Sequence, residues 1–376
     1  MGVPPHLPKR AILLIPKGTP AWLIREAEAL LSTAGYTEYG RVYYRRRGSR
    51  LLSRAKLREV AEKAEPLRGD EDARIVVFDR VKPSDYMDIV LEAGVETIDR
   101  TLLILEIFEL HAGSREARLQ IELARLRHKL PIVREMIRRS KLRELPGLRG
   151  PGGYAIDAYY RYMVSRIARI RRRLEELRAR RSMWREKRRR HGIPHVAIVG
   201  YASAGKTTLF NALTGENKPA GPEYFTTISP KTGVRPLNGG LRAAFVDTVG
   251  FIVDIPPEII EAFHATLEEA AGADMLVYVV DVTEEEHVLR RKVDEGIDTL
   301  YRIGAVGKPL IVAANKVDLL EPGAVEERVS MLSRLFSDKY PGFEKTIPTS
   351  ARKGRGVEEV LCSIATLLKR MGRYMF

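Results

Sequence analysis

Val196-Ala197-Ile198-Val199-Gly200-Tyr201-Ala202-Ser203-Ala204-Gly205-Lys206-Thr207-Thr208-Leu209-Phe210 is the run from which the rest of the chain is read. Its centre, Gly200 to Thr207, fits G-x-x-x-x-G-K-[ST], a phosphate-cradling loop. The four apolar, mostly β-branched residues before it predict a buried strand, and Thr208 to Leu213 predict the opening of a helix. Glycines at both ends let backbone N–H groups turn inward at a helix N-terminus and form an anion nest. Ser203, Ala204, Gly205, Lys206, Thr207 and Thr208 are the expected phosphate contacts. Lys206 is expected to reach the β- and γ-phosphates, and the Thr207 hydroxyl to sit on Mg²⁺.

Moving toward the C-terminus, further boxes select the base. Asp247-Thr248-Val249-Gly250 follows a strand predicted from Leu241 to Val246. Asp247 is expected to hold Mg²⁺ through water, and the Gly250 N–H to sense the γ-phosphate. Asn315-Lys316-Val317-Asp318 follows the apolar strand Leu310 to Ala314. The Asp318 carboxylate can accept from the two donors on guanine's Watson–Crick edge, which adenine lacks. Lys316 is expected to lie over the base, Asn315 to brace the phosphate loop, and Ser350-Ala351 with Arg352 to meet guanine O6. Four boxes in this order predict GTP as substrate and GDP as product. The Pro-, Gly- and Thr-rich segment 218–231 reads as a loop carrying Phe225, Thr226 and Thr227 to the nucleotide. Thr227 is the candidate hydroxyl that closes on Mg²⁺ when a γ-phosphate is present, with Thr226 the competing choice. The predicted catalytic set is Lys206, Thr227 and Gly250; the predicted metal set is Thr207, Thr227 and Asp247. Phe251 stands where many such enzymes carry a water-orienting Gln, so slow intrinsic hydrolysis is expected. The alternative is that Phe251 only packs.

The bulk properties bound the rest. The 376 residues suffice for two or three domains, and 44% hydrophobic with 30% charged residues describes a globular, charge-rich chain. High Lys, Arg and Glu points to a thermophile. The single Cys362 excludes a disulfide framework and a Cys-based zinc site, and fits a reducing cytoplasm. No apolar run of membrane-spanning length occurs, and a monomer is expected. A formal net charge of +15 suggests a polyanionic partner, nucleic acid before membrane.

Moving toward the N-terminus, the chain reads as two more parts. Residues 1–112 alternate strands near 11–15, 37–44, 75–78 and 95–98 with helices near 20–34, 56–64 and 84–92, predicting a small parallel α/β domain. Tyr43-Tyr44-Arg45-Arg46-Arg47 reads either as an RNA contact or as an edge strand blunted by arginine. Asp99 is a helix-cap candidate. Residues 113–192 carry two heptad seams, Leu119 to Ile137 and Ile156 to Leu177. The loop Pro146 to Gly153 between them predicts an antiparallel hairpin, its second helix running from about 154 to 189. Pro131 is expected to kink the first helix. Arg171-Arg172-Arg173, Arg178, Arg180-Arg181, Arg185 and Lys187 to Arg190 are offset locally only by Glu175, Glu176 and Glu186. That imbalance favours an RNA backbone as counter-anion. Residues 193–376 then form a P-loop domain with a mostly parallel six-stranded sheet.

These residues resemble the HflX family of translational GTPases over nearly the whole chain. Asp99-Arg100-Thr101, Ile107-Phe108, Glu116, Leu119-Gln120, Leu123-Ala124 and the tip Arg149-Gly150-Pro151-Gly152 are similar to family patterns. So are Asp247 to Ile252, Ala262-Phe263 and Thr266-Leu267-Glu268-Glu269; Phe225-Thr226-Thr227-Ile228 aligns so that Thr227 is the switch threonine. The resemblance implies a factor bound to the large ribosomal subunit, its N-terminal domain and helical arm near the peptidyl-transferase centre. Bacterial relatives split stalled ribosomes under stress, and the ribosome stimulates their hydrolysis. The sequence departs from the pattern at Ser203, usually Asn and linked to potassium-assisted hydrolysis; at Gly153 to Ile156; and at Val253, often Arg. An archaeal-type chain lacking the extra C-terminal domain of some relatives is expected. Three readings follow: a ribosome-remodelling GTPase, an RNA-binding GTPase in ribosome assembly or RNA chaperoning, and a regulator of a protein partner through the hairpin.

Overall fold

The computed structural model describes residues 9–46, 48–142, 151–190, 193–217, 225, 231–237, 240–253, 259–260 and 264–372. Thr226, Thr227, Arg47, Arg149, Gly150, Ala262 and Phe263, all singled out above, lie outside them. By packing, the chain divides into two compact units: Met1–Leu110 with Arg118–Leu174, and His111–Ala117 with Glu175–Phe376.

The first unit is built on a four-stranded sheet, in the order β2 (Tyr36–Tyr44), β1 (Lys9–Pro16), β3 (Arg74–Val77), β4 (Thr97–Asp99). Every pairing in it is parallel. Ala11 to Ile15 is fully buried and does not alternate, because a parallel sheet is covered on both faces. The helices are α1 (Ala21–Thr33), α2 (Arg54–Ala64), α3 (Pro83–Ala93) and α4 (Arg100–His111). Pro83 occupies the first turn of α3, where its missing N–H costs nothing. Asp99 caps α4 as expected, its Oδ1 accepting from Leu102 N–H at 2.9 Å. Tyr44 is buried and Arg46 bonds inward, to Asp79 and the Arg80 carbonyl, at the edge of the sheet.

The hairpin consists of α5 (Arg115–Lys141) and α6 (Pro151–Arg190). Glu122 meets Arg166 at 2.6 Å and Arg134 meets Tyr160 at 2.9 Å, so numbers rise on one helix as they fall on the other: the pair is antiparallel. Two expectations change. First, α6 begins at Pro151 rather than 154, because proline at a first helical position is pre-organised and the two glycines behind it are tolerated there. Second, the heptad seam of α5 is not its most buried face. Leu119, Leu123, Leu126, Leu130 and Ile137 are half-buried and only Val133 of the seam is buried, whereas Gln120, Ile121, Ala124 and Ile132 off the seam are buried. The opposite face of α5 packs on the sheet unit: Ile132 against Met87, His128 on Asp99 at 2.7 Å, and Arg139 on Asp88 at 2.8 Å. On α6 the predicted seam holds, with Met163, Ile167, Ile170 and Leu174 buried. Pro131 lies inside a helix that continues past it.

The second unit carries a six-stranded sheet, in the order β10 (Phe343–Thr349), β9 (Leu310–Asn315), β8 (Met275–Asp281), β5 (His195–Gly200), β7 (Arg242–Asp247), β6 (Lys231–Pro236). Only β6 runs antiparallel to its neighbour. Its helices are α7 (Lys206–Thr214), α8 (His264–Gly272), α9 (Glu286–Arg302), α10 (Pro322–Lys339) and α11 (Val357–Arg370). The strand order reverses between β5 and β8, the point where open α/β sheets keep a crevice at their carboxyl ends. One core cluster joins β5, β8, α7 and α11 through Val196, Phe210, Val277 and Ile364. On β8, Tyr278 is buried between Phe251 and Phe336, and its hydroxyl has no hydrogen-bond partner among the described residues. Helix α9 makes room for that hydroxyl with Gly296, where a Cβ would lie 1.7 Å from it. No helix among the described residues is long and apolar enough to cross a membrane.

Candidate functional site

The loop from β5 to α7 is held by backbone contacts that only glycine allows. Gly200 has φ +140°, and a Cβ there would lie 2.3 Å from the Val279 carbonyl oxygen. Gly205 has φ +94°, and a Cβ there would lie 2.4 Å from Asn315 Nδ2. Ser203 also adopts a left-handed conformation, φ 61°, with its side chain exposed. Ala204 is buried, and its carbonyl accepts from Asn315 Nδ2 at 2.8 Å. Asn315 Oδ1 in turn accepts from Ala351 N–H at 3.0 Å. One side chain at the end of β9 therefore ties the phosphate loop to the loop after β10.

Lys206 opens α7 and is buried. Its Nζ donates to the Tyr201 carbonyl at 2.7 Å. Desolvation pushes the ammonium down to about 8, with Asp247 pulling the other way. The Thr207 hydroxyl bonds Asp247 Oδ2 at 2.9 Å, and Asp247 is fully buried at the end of β7. A hydroxyl and a carboxylate beside a phosphate nest make an all-oxygen donor set. That suits Mg²⁺, a hard cation that prefers few protein ligands together with phosphate and water. Thr248 turns inward, donating to the Ile198 carbonyl at 2.7 Å. Gly250 packs against the phosphate loop: a Cβ there would lie 2.6 Å from Ala202 Cα and 2.8 Å from Lys206 Nζ.

A second cleft adjoins the loop. Gly205 and Thr208 bound one side; Lys316, Asp318, Ser350, Ala351 and Arg352 bound the other. Lys316 has φ 70°, and its Nζ is fixed 2.5 Å from Asp281 Oδ2, which sets the course of its stem. The Ser350 hydroxyl bonds the Asp318 carboxylate and, with Lys353 and Arg352, lowers its pKa. Asp318 is thus an ionised acceptor at neutral pH. Phe225, the one described residue of its loop, is buried with φ 61°. Phe251 is also buried, its ring centroid 6.2 Å from that of Tyr278.

The structure therefore brings Ser203 through Thr208, Asp247, Gly250, Asn315, Lys316, Asp318, Ser350, Ala351 and Arg352 to one end of one sheet. It also adds a group the motifs leave blank. Tyr201, a free position in G-x-x-x-x-G-K-[ST], accepts from Val253 N–H through its hydroxyl at 2.8 Å. A side-chain-to-backbone bond of this kind has no signature in residue spacing.

Three family models match successive parts of the chain. "GTP-binding GTPase N-terminal" covers residues 23–109, "GTP-binding GTPase Middle Region" 111–188, and "50S ribosome-binding GTPase" 195–316. The chain is 62% identical over 361 residues to GTPase HflX of Hyperthermus butylicus, covering 96% of each. It is 38% identical to GTPase HflX of Saccharolobus solfataricus, covering 79% of this chain and 83% of the relative. A crystal structure of a GTP-binding protein from Sulfolobus solfataricus in complex with GDP matches with TM-score 0.53 and 31% identity, over 96% of this chain and 99% of that one.

Proposed function

The chain belongs to the HflX family of GTPases, and on that premise we propose that it is a ribosome-associated enzyme whose cationic helix docks on the RNA of the large subunit. It is a GTPase, converting GTP to GDP and phosphate. In our reading the loop amides and Lys206 hold the β- and γ-phosphates, and Asp318, Ser350, Ala351 and Arg352 read guanine over the Lys316 stem. Thr207 and Asp247 would hold Mg²⁺, joined by Thr227 or its neighbour Thr226, with Phe225 nearby. When bound, the metal supplies charge neutralisation on the phosphate oxygens. Lys206 adds a positive charge at the same place, and Gly250 a backbone donor to the γ-phosphate. The buried Phe251 ring offers the attacking water no hydrogen bond. A slow intrinsic rate follows, with water ordered by backbone or by a partner.

The observation that carries the ribosomal reading is the state of α6. Arg161, Arg169, Arg171, Arg172 and Arg180 are exposed, while Asp157, Glu175 and Glu176 are the acids on the same stretch. Such an excess is what a phosphate backbone neutralises. The description of the model matching residues 195–316 points the same way. We take residues 1–112, 113–192 and 193–376 as a ribosome-facing domain, an arm and a GTPase domain. The role we assign is the remodelling or splitting of ribosomes in the cytoplasm.

Purified large subunits are expected to raise GTP turnover, and reversing Arg171, Arg172 and Arg173 to Glu to abolish the rise. Turnover indifferent to subunits would overturn the proposal. Sucrose gradients with GTP and with a non-hydrolysable analogue separate splitting from assembly. Splitting shifts assembled ribosomes to subunits; an assembly or chaperone role gives binding to immature particles alone.

A further inference from the structure

The backbone that follows β7 lies against the phosphate loop as a short parallel bridge, Tyr201 opposite Phe251. Phe251 N–H donates to the Gly200 carbonyl at 3.0 Å, and Ala202 N–H donates to the Phe251 carbonyl at 2.7 Å. The run closes with a third bond, from Val253 N–H to the Tyr201 hydroxyl oxygen at 2.8 Å, in a buried setting. The first two bonds are backbone to backbone, and any sequence could make them. The third depends on one side-chain oxygen.

That side chain is itself seated. Lys292 Nζ stands 4.4 Å from the centroid of the Tyr201 ring, and Glu284 holds the same ammonium at 2.5 Å. The ring is 5% exposed and Val253 is 2% exposed, so water does not replace the bond if it breaks. Residues 250–253 are in this way fastened flat onto residues 200–202.

The fastening bears on which nucleotide fits. A methyl on Gly250 has no room on the side of Ala202 Cα and Lys206 Nζ, at 2.6 and 2.8 Å. Gly250 is thus packed directly on the phosphate loop and on the end of Lys206, whose Nζ is held by the Tyr201 carbonyl. A phosphoryl group that draws Lys206 Nζ off that carbonyl and also takes the Gly250 N–H has to re-space the two segments, which lifts residues 250–253. A diphosphate places no group there and leaves the fastening intact.

We infer that the Tyr201 hydroxyl is a specificity-determining group, which favours GDP over GTP by fastening residues 250–253 to the phosphate loop through Val253. The inference rests on the reading that Gly200 to Thr207 takes the phosphates and Gly250 the terminal one. A triphosphate binds only the lifted form, so its apparent affinity is reduced by the fraction of molecules still fastened. The diphosphate bears no such reduction.

Tyr201→Phe removes the oxygen and keeps the ring and its Lys292 contact. Titrating a fluorescent GDP and a fluorescent non-hydrolysable GTP analogue into the full chain reads both affinities. The analogue is expected to bind about 5-fold tighter in the variant, the equivalent of one hydrogen bond, with GDP unchanged. Two affinities that stay the same, or move together, overturn the inference. The Val253 amide supplies an independent readout. Its hydrogen exchange is expected to be slow in the GDP complex and fast in the analogue complex of the unmodified protein. Equal protection in the two overturns the inference even if Tyr201→Phe fails to fold. The underlying reading fails separately: Lys206→Ala that bound both nucleotides as tightly as the parent would show that they bind elsewhere.

Discussion

The chain contains two sheets built round a parallel central strand, and only in the second does the first βα loop fit a phosphate-cradling motif. In the first, β1 is followed by Lys17-Gly18-Thr19-Pro20 and then α1; in the second, β5 is followed by Tyr201 to Gly205 and then α7. Each sheet reverses its strand order beside that central strand. The turn after β1 closes on itself: Thr19 Oγ1 donates to the Pro16 carbonyl at 2.7 Å, and Lys17 N–H donates to the Tyr44 carbonyl at 2.6 Å. Around it, Asp79 accepts from Tyr44 Oη at 3.2 Å and Arg46 Nε at 3.1 Å, while Asp99 is held between α4 and His128. Burial and Asp79 together raise the pKa of Tyr44, which keeps its hydroxyl a donor. The strand ends of the first sheet thus bond to one another. Those of the second meet a loop whose glycines let its backbone fold against Val279 and Asn315. A nucleotide site at a parallel sheet is a matter of what the first βα loop is made of, more than of the sheet.

That comparison can be broken at matched glycines, and the largest effect is expected there. Gly200→Ala drives a Cβ to 2.3 Å from a backbone oxygen, and rigid backbone has no cheap way to yield. Guanine nucleotide affinity should fall by more than about 100-fold, or the domain should lose its cooperative melt. Gly18→Ala, at φ +90° with nothing within 4 Å of the new Cβ, should cost only the conformational penalty. That is about 1 kcal/mol in thermal or denaturant unfolding, with nucleotide affinity unchanged. Equal effects at the two positions would abolish the distinction between the two loops.

Next in size is Asp99→Ala in the first sheet. It removes both the cap of α4 and the acceptor for His128, so stability should drop by about 2 kcal/mol in denaturant unfolding, without change in nucleotide affinity. A loss of nucleotide affinity at constant stability would mean that this strand end has a share in binding after all.

The smallest signal is a fraction of a proton. Burial holds Lys206 at about 8, so near pH 8.5 part of the population is neutral. Phosphate charge arriving beside it raises that pKa, so binding must take up protons there, and affinity should decline as pH rises through 8. Titration calorimetry in two buffers of different ionisation heat reads the uptake, which should vanish in Lys206→Ala. For folding, the sign is the opposite of the usual lysine case. The native state binds fewer protons than the unfolded chain between about 8 and the ordinary lysine value, so this group's penalty is full below that window and lifts as pH rises through it.

Much of this architecture was legible because spacing encodes it. Strand runs such as Ala11 to Ile15, the turn chemistry before α7 and the boxes at Asp247, Asn315 and Ser350 place their residues by local rules. Features that depend on a partner in space were not. Heptad spacing puts Leu119 to Ile137 of α5 on one seam, but of that seam only Val133 is buried, and Ile121 and Ala124 beside it are buried more deeply, because that face packs on the sheet unit. The start of α6 was placed late because Pro146 to Gly153 was read as one breaker, when a proline at 151 starts a helix as readily as it stops one. Tyr201 escaped notice because its partner is a backbone N–H far along the chain.

The fit of Gly296 around Tyr278 fixes an order of inheritance. Acquiring a larger residue at 296 while tyrosine persists forces two atoms to within 1.7 Å, so that lineage is closed. Losing the hydroxyl first, by Tyr278→Phe, sheds an unsatisfied buried oxygen and leaves only a ring carbon 2.9 Å from the new Cβ, a clash that a small adjustment relieves. Descendants of this chain can therefore reach the alanine-bearing, more helix-favouring α9 by one path of the two, and a survey of relatives should find alanine at 296 only where residue 278 lacks the tyrosine hydroxyl.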